Sequence, residues 1–295
     1  TTANVTSAND SFIVLENSGA ILNTLNLTGS GTLGIIGTLA NSVTTINGGN
    51  STANLTLTTG LGNDAIVTGT GNDIITLTGG TNNVTSGDGN DTVNLSSGSD
   101  SVTTGSGDDN VVAGAGNNTI NTGADDDQVN LTGGTNDLNT GTGNDQVTVS
   151  GGNNTISTET GNDQITISGG TNTIASGDGA DTLSLSAGIS NISTGSGDDT
   201  ITASGGASNV DIRSLDGGSG TDRLNIISTG TVTLPTATNI ETFFISDTVH
   251  QSLDFSFSTS LNGIELDSGT TIDNSTITLT LGAGQALTLD SITDG

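Results

Sequence analysis

Apolar and polar residues alternate in a fixed register through the middle of the chain. Between residues 73 and 203, an aspartate recurs at intervals of 18 residues, with apolar side chains two and four positions after it. These apolar pairs are Ile75/Leu77, Val93/Leu95, Val111/Ala113, Val129/Leu131, Val147/Val149, Ile165/Ile167, Leu183/Leu185 and Ile201/Ala203. Because side chains of a strand point to alternate faces, this period of two predicts short, half-buried β-strands.

The half-repeats between these strands follow a second pattern. Each carries one aliphatic residue, followed two positions later by Ser or Thr; the aliphatic residues are Val84, Val102, Ile120, Leu138, Ile156, Ile174 and Ile192. A nine-residue unit holds one strand and one turn, and such a strand cannot bury its apolar face without neighbours. The sequence therefore predicts an all-β fold, a parallel β-solenoid with two strands per 18-residue coil.

Acidic residues mark one turn of each coil. They are Asp64, Asp73, Asp91, Asp109, Asp127, Asp145, Asp163, Asp181 and Asp199, most of them in a G-x-G-x-D segment, and Asp222 restarts the motif. Stacked coils would place successive carboxylates ~4.8 Å apart, where two bare charges repel by roughly 3–4 kcal/mol at an effective dielectric constant of ~20. The column predicts a bound divalent cation between the coils.

Calcium is the cation that this donor set favours. Carboxylates and turn carbonyls supply the six to eight oxygen ligands that Ca²⁺ prefers, and no His or Cys stands nearby to select a transition metal. We predict about seven Ca²⁺ ions along one edge, between pairs such as Asp73 and Asp91 or Asp181 and Asp199. Candidate carbonyl donors are Gly71, Gly89, Gly107, Gly143, Gly161, Gly179 and Gly197.

The opposite turns carry amides where the first edge carries acids. The positions are Asn82, Asp100, Asn118, Asn136, Asn154, Asn172 and Ser190. We expect a hydrogen-bonded Asn ladder that caps the turns. A second metal-binding edge is the alternative.

Composition restricts the function. The formal charge is −29, from 31 acids against two Arg and no Lys, which excludes a basic surface for nucleic acid or anionic membrane. Without Cys the chain has no disulfides, and no apolar stretch is long enough to span a bilayer. With one histidine, His250, and four Glu, we expect no enzyme, no catalytic residue and no organic cofactor. Arg213 and Arg223 are expected to pair locally with Asp211 and Asp222.

Residues 59–204 resemble the RTX calcium-binding β-roll, whose nonapeptide is G-G-x-G-x-D-x-U-x. The resemblance implies a right-handed parallel β-roll, folding triggered by extracellular calcium, type I secretion, and metal binding by the motif aspartates and turn carbonyls. The chain departs from the pattern at the Asn edge. It also departs at Asp125 and Glu159, which replace motif glycines.

Three regions are predicted. Residues 1–58 are a metal-free β-solenoid flank, 59–204 the calcium-binding roll, and 205–295 a β-rich lobe that contains most of the Phe residues. Residues 215–226 and 239–242 resemble segments of bacterial S-layer proteins and large RTX adhesins. The absence of an initiator Met suggests a piece of a longer chain.

Three functions remain open from the sequence. The first is a secreted, extracellular S-layer-type structural protein that self-associates into a lattice, with cell-surface polysaccharide as a further candidate partner. The second is an extender or ligand-binding module of a surface adhesin. The third is the β-roll accessory of a type I-secreted enzyme. The S-layer-like segments favour the first.

Overall fold

The computed structural model describes residues 1–15, 21–205, 209–227, 232–233, 237–245 and 263–266. All regular elements in these ranges are β-strands, which pair in parallel, so the predicted β-solenoid class is confirmed. The described ranges contain no helix that could cross a membrane. His250 lies outside the described residues.

The chain divides into two compact units, Thr1–Gln146 and Val147–Gly295. The region boundaries predicted near residues 58 and 204 stay predictions. The strand Gln146–Val149 contains the division between the units.

The first unit consists of two parallel sheets whose strands alternate along the chain. The first sheet contains Thr2–Ser7, Thr24–Gly29, Thr45–Asn47, Ala65–Gly69, Asn83–Asp88, Ser101–Ser106, the second half of Asn110–Ala124, and Thr135–Thr142. The second contains Ser11–Val14, Leu33–Thr38, Leu55–Thr58, Ile74–Thr76, Thr92–Gly98, the first half of Asn110–Ala124, and Gln128–Leu131. Each coil contributes one strand to each sheet.

The second unit has the same plan. Its first sheet contains Asn153–Ser157, Thr171–Asp178, Gly188–Ser196, Val210–Asp216, Val232–Thr233 and Ala237–Thr238. Its second contains Gln164–Ile167, Thr182–Leu185, Thr200–Ala203, Arg223–Ile226, Thr242–Ile245 and Gly263–Leu266.

The core of each unit consists of the aliphatic positions that the alternation selects. Val93 and Val111 are fully buried and adjacent in register in one sheet, as are Val102 and Ile120 in the other. All the aliphatic residues named above as apolar pairs or single positions are buried, which confirms the predicted core. Because these side chains are small, the two sheets of a coil close over a narrow interior.

A row of buried hydroxyl groups accompanies the aliphatic row. The Thr104 hydroxyl donates to the Thr122 carbonyl at 3.0 Å, and the Ser176 hydroxyl donates to the Thr194 carbonyl at 3.1 Å. Each of these two hydroxyls therefore links its coil to the next while satisfying its own donor. This explains why Ser and Thr, rather than larger aliphatic residues, close the second strand of each repeat.

The turns adopt the backbone conformations that the glycines predict. Gly105 and Gly107, for instance, both have φ of +117°. Asp125 and Glu159, the two non-glycine replacements, also have positive φ, at +79° and +62°. Both therefore keep the glycine conformation at the steric cost that an L-residue pays in this region.

Candidate calcium-binding edge

The predicted aspartates of the first unit form a column inside one turn of successive coils. Asp73, Asp91, Asp109 and Asp127 are at most 2% exposed, and each directly precedes a strand of the second sheet. The carboxylates point inward because the alternation that buries the following aliphatic positions also places the aspartate on the inner face. A column of buried acids results.

One oxygen of each carboxylate links two coils. The amide of Asp73 donates to Oδ1 of Asp91 at 2.7 Å, and the amide of Asp91 donates to Oδ1 of Asp109 at 2.7 Å. The same bond joins Asp109 to Asp127 and Asp127 to Asp145, each at 2.9 Å. At the start of the column, Asp73 accepts from the amide of Leu55. Through these hydrogen bonds, the carboxylates hold the turn backbone in place independently of a bound metal.

The second carboxylate oxygen, Oδ2, indicates a metal site. Oδ2 of Asp73, Asp91, Asp109 and Asp127 is buried and has no hydrogen-bond partner. A buried, unsatisfied charged oxygen is costly, and the sequence has no basic residue between positions 1 and 212 that could compensate it. The missing interaction fits a cation from solution.

Burial controls the acidity of the column. Desolvation, strengthened by repulsion from neighbouring carboxylates, raises the pKa of Asp91 and Asp109 to about 6 and that of Asp127 to about 7. Desolvation also raises the pKa of Asp73 to about 6. Hydrogen bonds from backbone amides to the carboxylates oppose these shifts without cancelling them. A bound divalent ion would favour the ionised form of each group.

The second unit contains the same arrangement. The amide of Asp163 donates to Oδ1 of Asp181 at 2.9 Å, that of Asp181 to Asp199 at 2.8 Å, and that of Asp199 to Asp222 at 2.9 Å. Oδ2 of Asp181, Asp199 and Asp222 is buried without a hydrogen-bond partner. Asp222, predicted as a restart of the motif, thus extends the column across a 23-residue coil.

Turn glycines provide backbone oxygens along the same edge. A Cβ on Gly89 would lie 2.5 Å from the Gly71 carbonyl oxygen, and a Cβ on Gly107 would lie 2.5 Å from that of Gly89. In the second unit, a Cβ on Gly179 or Gly197 would meet the carbonyl oxygen of Gly161 or Gly179 at under 2.0 Å. A side chain at these positions would clash with the preceding coil, so the turn favours glycine. The predicted carbonyl donors precede the column aspartates by two residues. The metal role of Gly143 and of the other named residues stays a prediction.

A second row of side chains reinforces the edge from outside. Oδ1 of Asn90 accepts from the amide of Asp108 at 3.2 Å, and Oδ1 of Asp126 accepts from that of Asn144 at 2.7 Å. These bonds run toward the following coil, whereas the buried aspartates bond toward the preceding one. The sequence analysis overlooked this row, although Asn or Asp directly before most motif aspartates is its signal.

The opposite edge is held by amides. Nδ2 of Asn82 donates to the Gly79 carbonyl at 3.2 Å and to Oδ1 of Asp100 at 2.8 Å, and Nδ2 of Asn118 donates to Oδ1 of Asn136 at 2.8 Å. In the second unit, Nδ2 of Asn154 donates to Oδ1 of Asn172 at 2.9 Å. The predicted hydrogen-bonded Asn ladder is confirmed. An amide nitrogen here bridges oxygens of adjacent coils without a cation.

Asp64 belongs to this amide edge. Its backbone amide donates to Oδ1 of Asn82 at 2.9 Å, so Asp64 starts the column that continues through Asn82 and Asp100. The prediction that Asp64 lies in the same column as Asp73 is wrong. The two residues are nine positions apart, which is half of an 18-residue coil, so they lie on opposite edges. Both carboxylate oxygens of Asp64 are buried, and burial raises its pKa.

The two arginines have different surroundings. Arg213 forms the predicted ion pair with Asp211, with 3.5 Å between Nε and Oδ2. Arg223 donates from Nε to Oδ1 of Asn225 at 2.7 Å, and its guanidinium carbon lies 5.1 Å from the centroid of the Phe244 ring.

Within the described residues, no three His, Cys, Asp or Glu side chains are grouped so that they could hold a metal by themselves. A cation on the aspartate edge therefore needs backbone oxygens in addition to carboxylates. The orphan Oδ2 atoms and the stacked glycine carbonyls meet this need with hard oxygen donors, which fit Ca²⁺.

Comparison with known families identifies the repeats. The model of the RTX calcium-binding nonapeptide repeat matches residues 58–93, 94–129, 103–138, 131–165, 166–188 and 184–207, about half of the chain. The chain belongs to the RTX calcium-binding nonapeptide repeat family. RTX repeats bind Ca²⁺, which confirms calcium as the ion, whereas the number of ions stays a prediction. No curated protein and no solved structure is significantly similar to this RTX chain.

Proposed function

We propose that this RTX protein is a non-enzymatic structural component of a bacterial cell surface, of the S-layer type, that folds and assembles on extracellular calcium. The observation that carries the proposal is the column of buried aspartates with unpartnered Oδ2 atoms. Without a cation, the buried carboxylates of this column destabilise the fold. With a cation, they would link each coil to the next, so the calcium supply would control folding.

The residues that would hold calcium are the column aspartates, from Asp73 to Asp145 in the first unit and from Asp163 to Asp222 in the second, with the turn glycine carbonyls. Bound calcium would neutralise the carboxylates. The chain's own contribution is to orient each carboxylate through the Oδ1 bond and to hold the opposite edge closed with Asn amides.

The proposed location follows from the calcium supply. Extracellular calcium modules bind with Kd values of about 10⁻⁴–10⁻³ M, well above cytosolic calcium. The chain would therefore stay unfolded during type I secretion and form its coils outside the cell. The RTX repeats, which are typical of secreted proteins, support this location.

The proposal of self-assembly rests on composition and on the S-layer-like segments at 215–226 and 239–242. A chain with net charge −29 repels its own copies, and a divalent cation is the natural bridge between them. Polysaccharide of the cell surface is the further partner that we propose.

The test uses purified full-length chain in calcium, in magnesium and after chelation. We expect a β-type circular dichroism spectrum in millimolar calcium that is lost on chelation and is not restored by magnesium. Negative-stain electron microscopy should reveal ordered two-dimensional sheets in calcium only. A spectrum unchanged by chelation would contradict calcium-dependent folding, and a folded monomer in calcium would favour the adhesin extender over the lattice.

A further inference from the structure

The aspartate column continues beyond the family match to a glutamate. The amide of Asp222 donates to Oε2 of Glu241 at 2.7 Å, just as the amide of Asp199 donates to Oδ1 of Asp222. Glu241 follows Asp222 by 19 residues and the family match ends at residue 207, so neither the spacing nor the motif reveals this relation.

The Asn239 carbonyl oxygen and one carboxylate oxygen of Asp222 both lie near Gly217. A Cβ on Gly217 would lie 2.0 Å from the Asn239 carbonyl oxygen and 2.7 Å from Oδ2 of Asp222, so both oxygens lie close to Gly217. Asp222 is fully buried, and its Oδ2 has no hydrogen-bond partner. A carbonyl and a carboxylate are both acceptors and cannot satisfy each other. Oδ2 of Asp222 therefore needs a donor or a cation.

The Asn239 carbonyl is held in place by its own turn. Asn239 has a φ of +53°, and its Nδ2 donates to Oδ1 of Asp216 at 2.8 Å. The same Oδ1 accepts from the amide of Gly218 at 3.2 Å and from the hydroxyl of Thr238 at 3.1 Å. Asn is one of the few residues that adopt this left-handed conformation readily. Asp216 thus fixes the orientation of the Asn239 turn, whose carbonyl oxygen lies near Gly217 together with Oδ2 of Asp222.

We propose that Asp222, the Asn239 carbonyl and Glu241 form a separate calcium site that links the coil of Asp222 to the coil of Glu241. The site differs from the nonapeptide sites in using a glutamate and the carbonyl of a left-handed asparagine. It rests on the proposed function in taking the same ion. Two carboxylates and a carbonyl are hard donors of the kind that Ca²⁺ prefers.

The local charge supports the assignment. Burial, together with repulsion from Asp199, Glu241 and Asp198, raises the pKa of Asp222 to about 6.

The main test is the calcium stoichiometry of Glu241→Gln, measured on the full-length chain by isothermal titration calorimetry and by equilibrium dialysis with radioactive calcium. The amide oxygen of Gln can still accept from the Asp222 amide, so a purely structural role for Glu241 predicts an unchanged count. The proposed site predicts one ion fewer than wild type. Asp211→Asn, which removes one half-exposed charge from the same unit, is the matched control and should keep the wild-type count.

A second variant covers the case in which Glu241→Gln fails to fold. Asn239→Gly keeps the left-handed turn and the carbonyl but loses the bond to Asp216, so one site should weaken about 10- to 100-fold at an unchanged ion count. Wild-type stoichiometry in Glu241→Gln, or wild-type affinity at every site in Asn239→Gly, would overturn the proposal. Absence of calcium binding by the wild-type chain would instead refute the proposed function itself.

Discussion

The backbone amide of Asp91 donates a hydrogen bond to Oδ1 of Asp109 at 2.7 Å, while Oδ2 of Asp109 is buried with no hydrogen-bond partner. One carboxylate therefore has a coil-linking oxygen and an unsatisfied oxygen. On the opposite edge, Nδ2 of Asn118 stands where the aspartate has its second oxygen and donates to Oδ1 of Asn136. At these positions the amide edge is satisfied without metal and the aspartate edge is not.

This contrast predicts opposite effects of Asp127→Asn with and without calcium. The Asn oxygen can still accept from the Asp109 amide, while the substitution removes a buried charge whose pKa is raised to about 7. We expect the variant to be more stable than wild type in chelator by about 1–3 kcal/mol, because an unsatisfied buried group is lost. Its calcium midpoint for folding should rise, because a ligand is lost.

The β-type circular dichroism that each chain keeps in chelator, and the calcium midpoint of folding, measure the two effects. Asp137→Asn is the matched control, since Asp137 is an exposed acid in the first sheet. It should leave both quantities unchanged. A variant that is destabilised in chelator would refute the view that the Asp127 carboxylate destabilises the metal-free fold.

The reverse exchange on the amide edge is Asn118→Asp. It removes the 2.8 Å hydrogen bond to Oδ1 of Asn136 and places a second acceptor against that oxygen. We expect a loss of about 1–3 kcal/mol in the free energy of unfolding in calcium, because a buried hydrogen bond is replaced by two acceptors that face each other.

Urea unfolding of Asn118→Asp should be compared with Asn117→Asp, which alters the exposed neighbour. The control should stay within about 0.5 kcal/mol of wild type. Equal stability of the two variants would show that the Asn ladder contributes nothing to the edge.

The metal-free chain should become more stable on acidification. An unfolded Asp has a pKa of about 3.9, whereas burial raises the pKa of Asp73, Asp91 and Asp109 to about 6 in the folded chain. Between these values the folded chain binds more protons than the unfolded chain. Its stability is therefore greatest below the unfolded pKa and falls as the pH rises through the folded pKa.

Circular dichroism in calcium-depleted buffer should show more β-structure at about pH 5 than at about pH 8. With calcium present, protons compete for the same oxygens, so the calcium affinity of the folded chain should fall as the pH falls. Metal-free folding that improves toward alkaline pH would contradict the buried-carboxylate account.

Much of the fold could be predicted because it depends on local alternation. Val93 and Val111 follow from the period of two, and the 18-residue interval sets their neighbours in the adjacent coil. The character of the two edges was also readable, because Asn118 carries its own donor and Asp109 does not.

The rest could not be predicted, because it depends on coil length and on backbone geometry. Asp64 was assigned by spacing to the wrong edge, since a repeat of nine does not say which of two turns a residue occupies. Glu241 follows coils of irregular length, so only its hydrogen bond with Asp222 reveals its place. The hydrogen bond from Asn239 to Asp216 likewise depends on a left-handed turn that no repeat pattern predicts.

The stacking of turn glycines leads to a last prediction, which concerns Gly105. Its φ is +117°, and a Cβ at this position would lie 2.1 Å from the carbonyl oxygen of Gly87 in the preceding coil. Gly105→Ala must therefore strain its own backbone and separate two coils. We expect a loss of about 2–4 kcal/mol in the free energy of unfolding in calcium, the sum of conformational strain and overpacking.

Gly133→Ala is the matched control, because a Cβ there would meet no atom within 4 Å. Calcium-saturated thermal or urea unfolding should place this control within about 0.5 kcal/mol of wild type. If Gly105→Ala were equally tolerated, the coils would not be stacked as closely as the Gly87 carbonyl requires. The turn carbonyls would then not line the calcium-binding edge at the spacing on which the site depends.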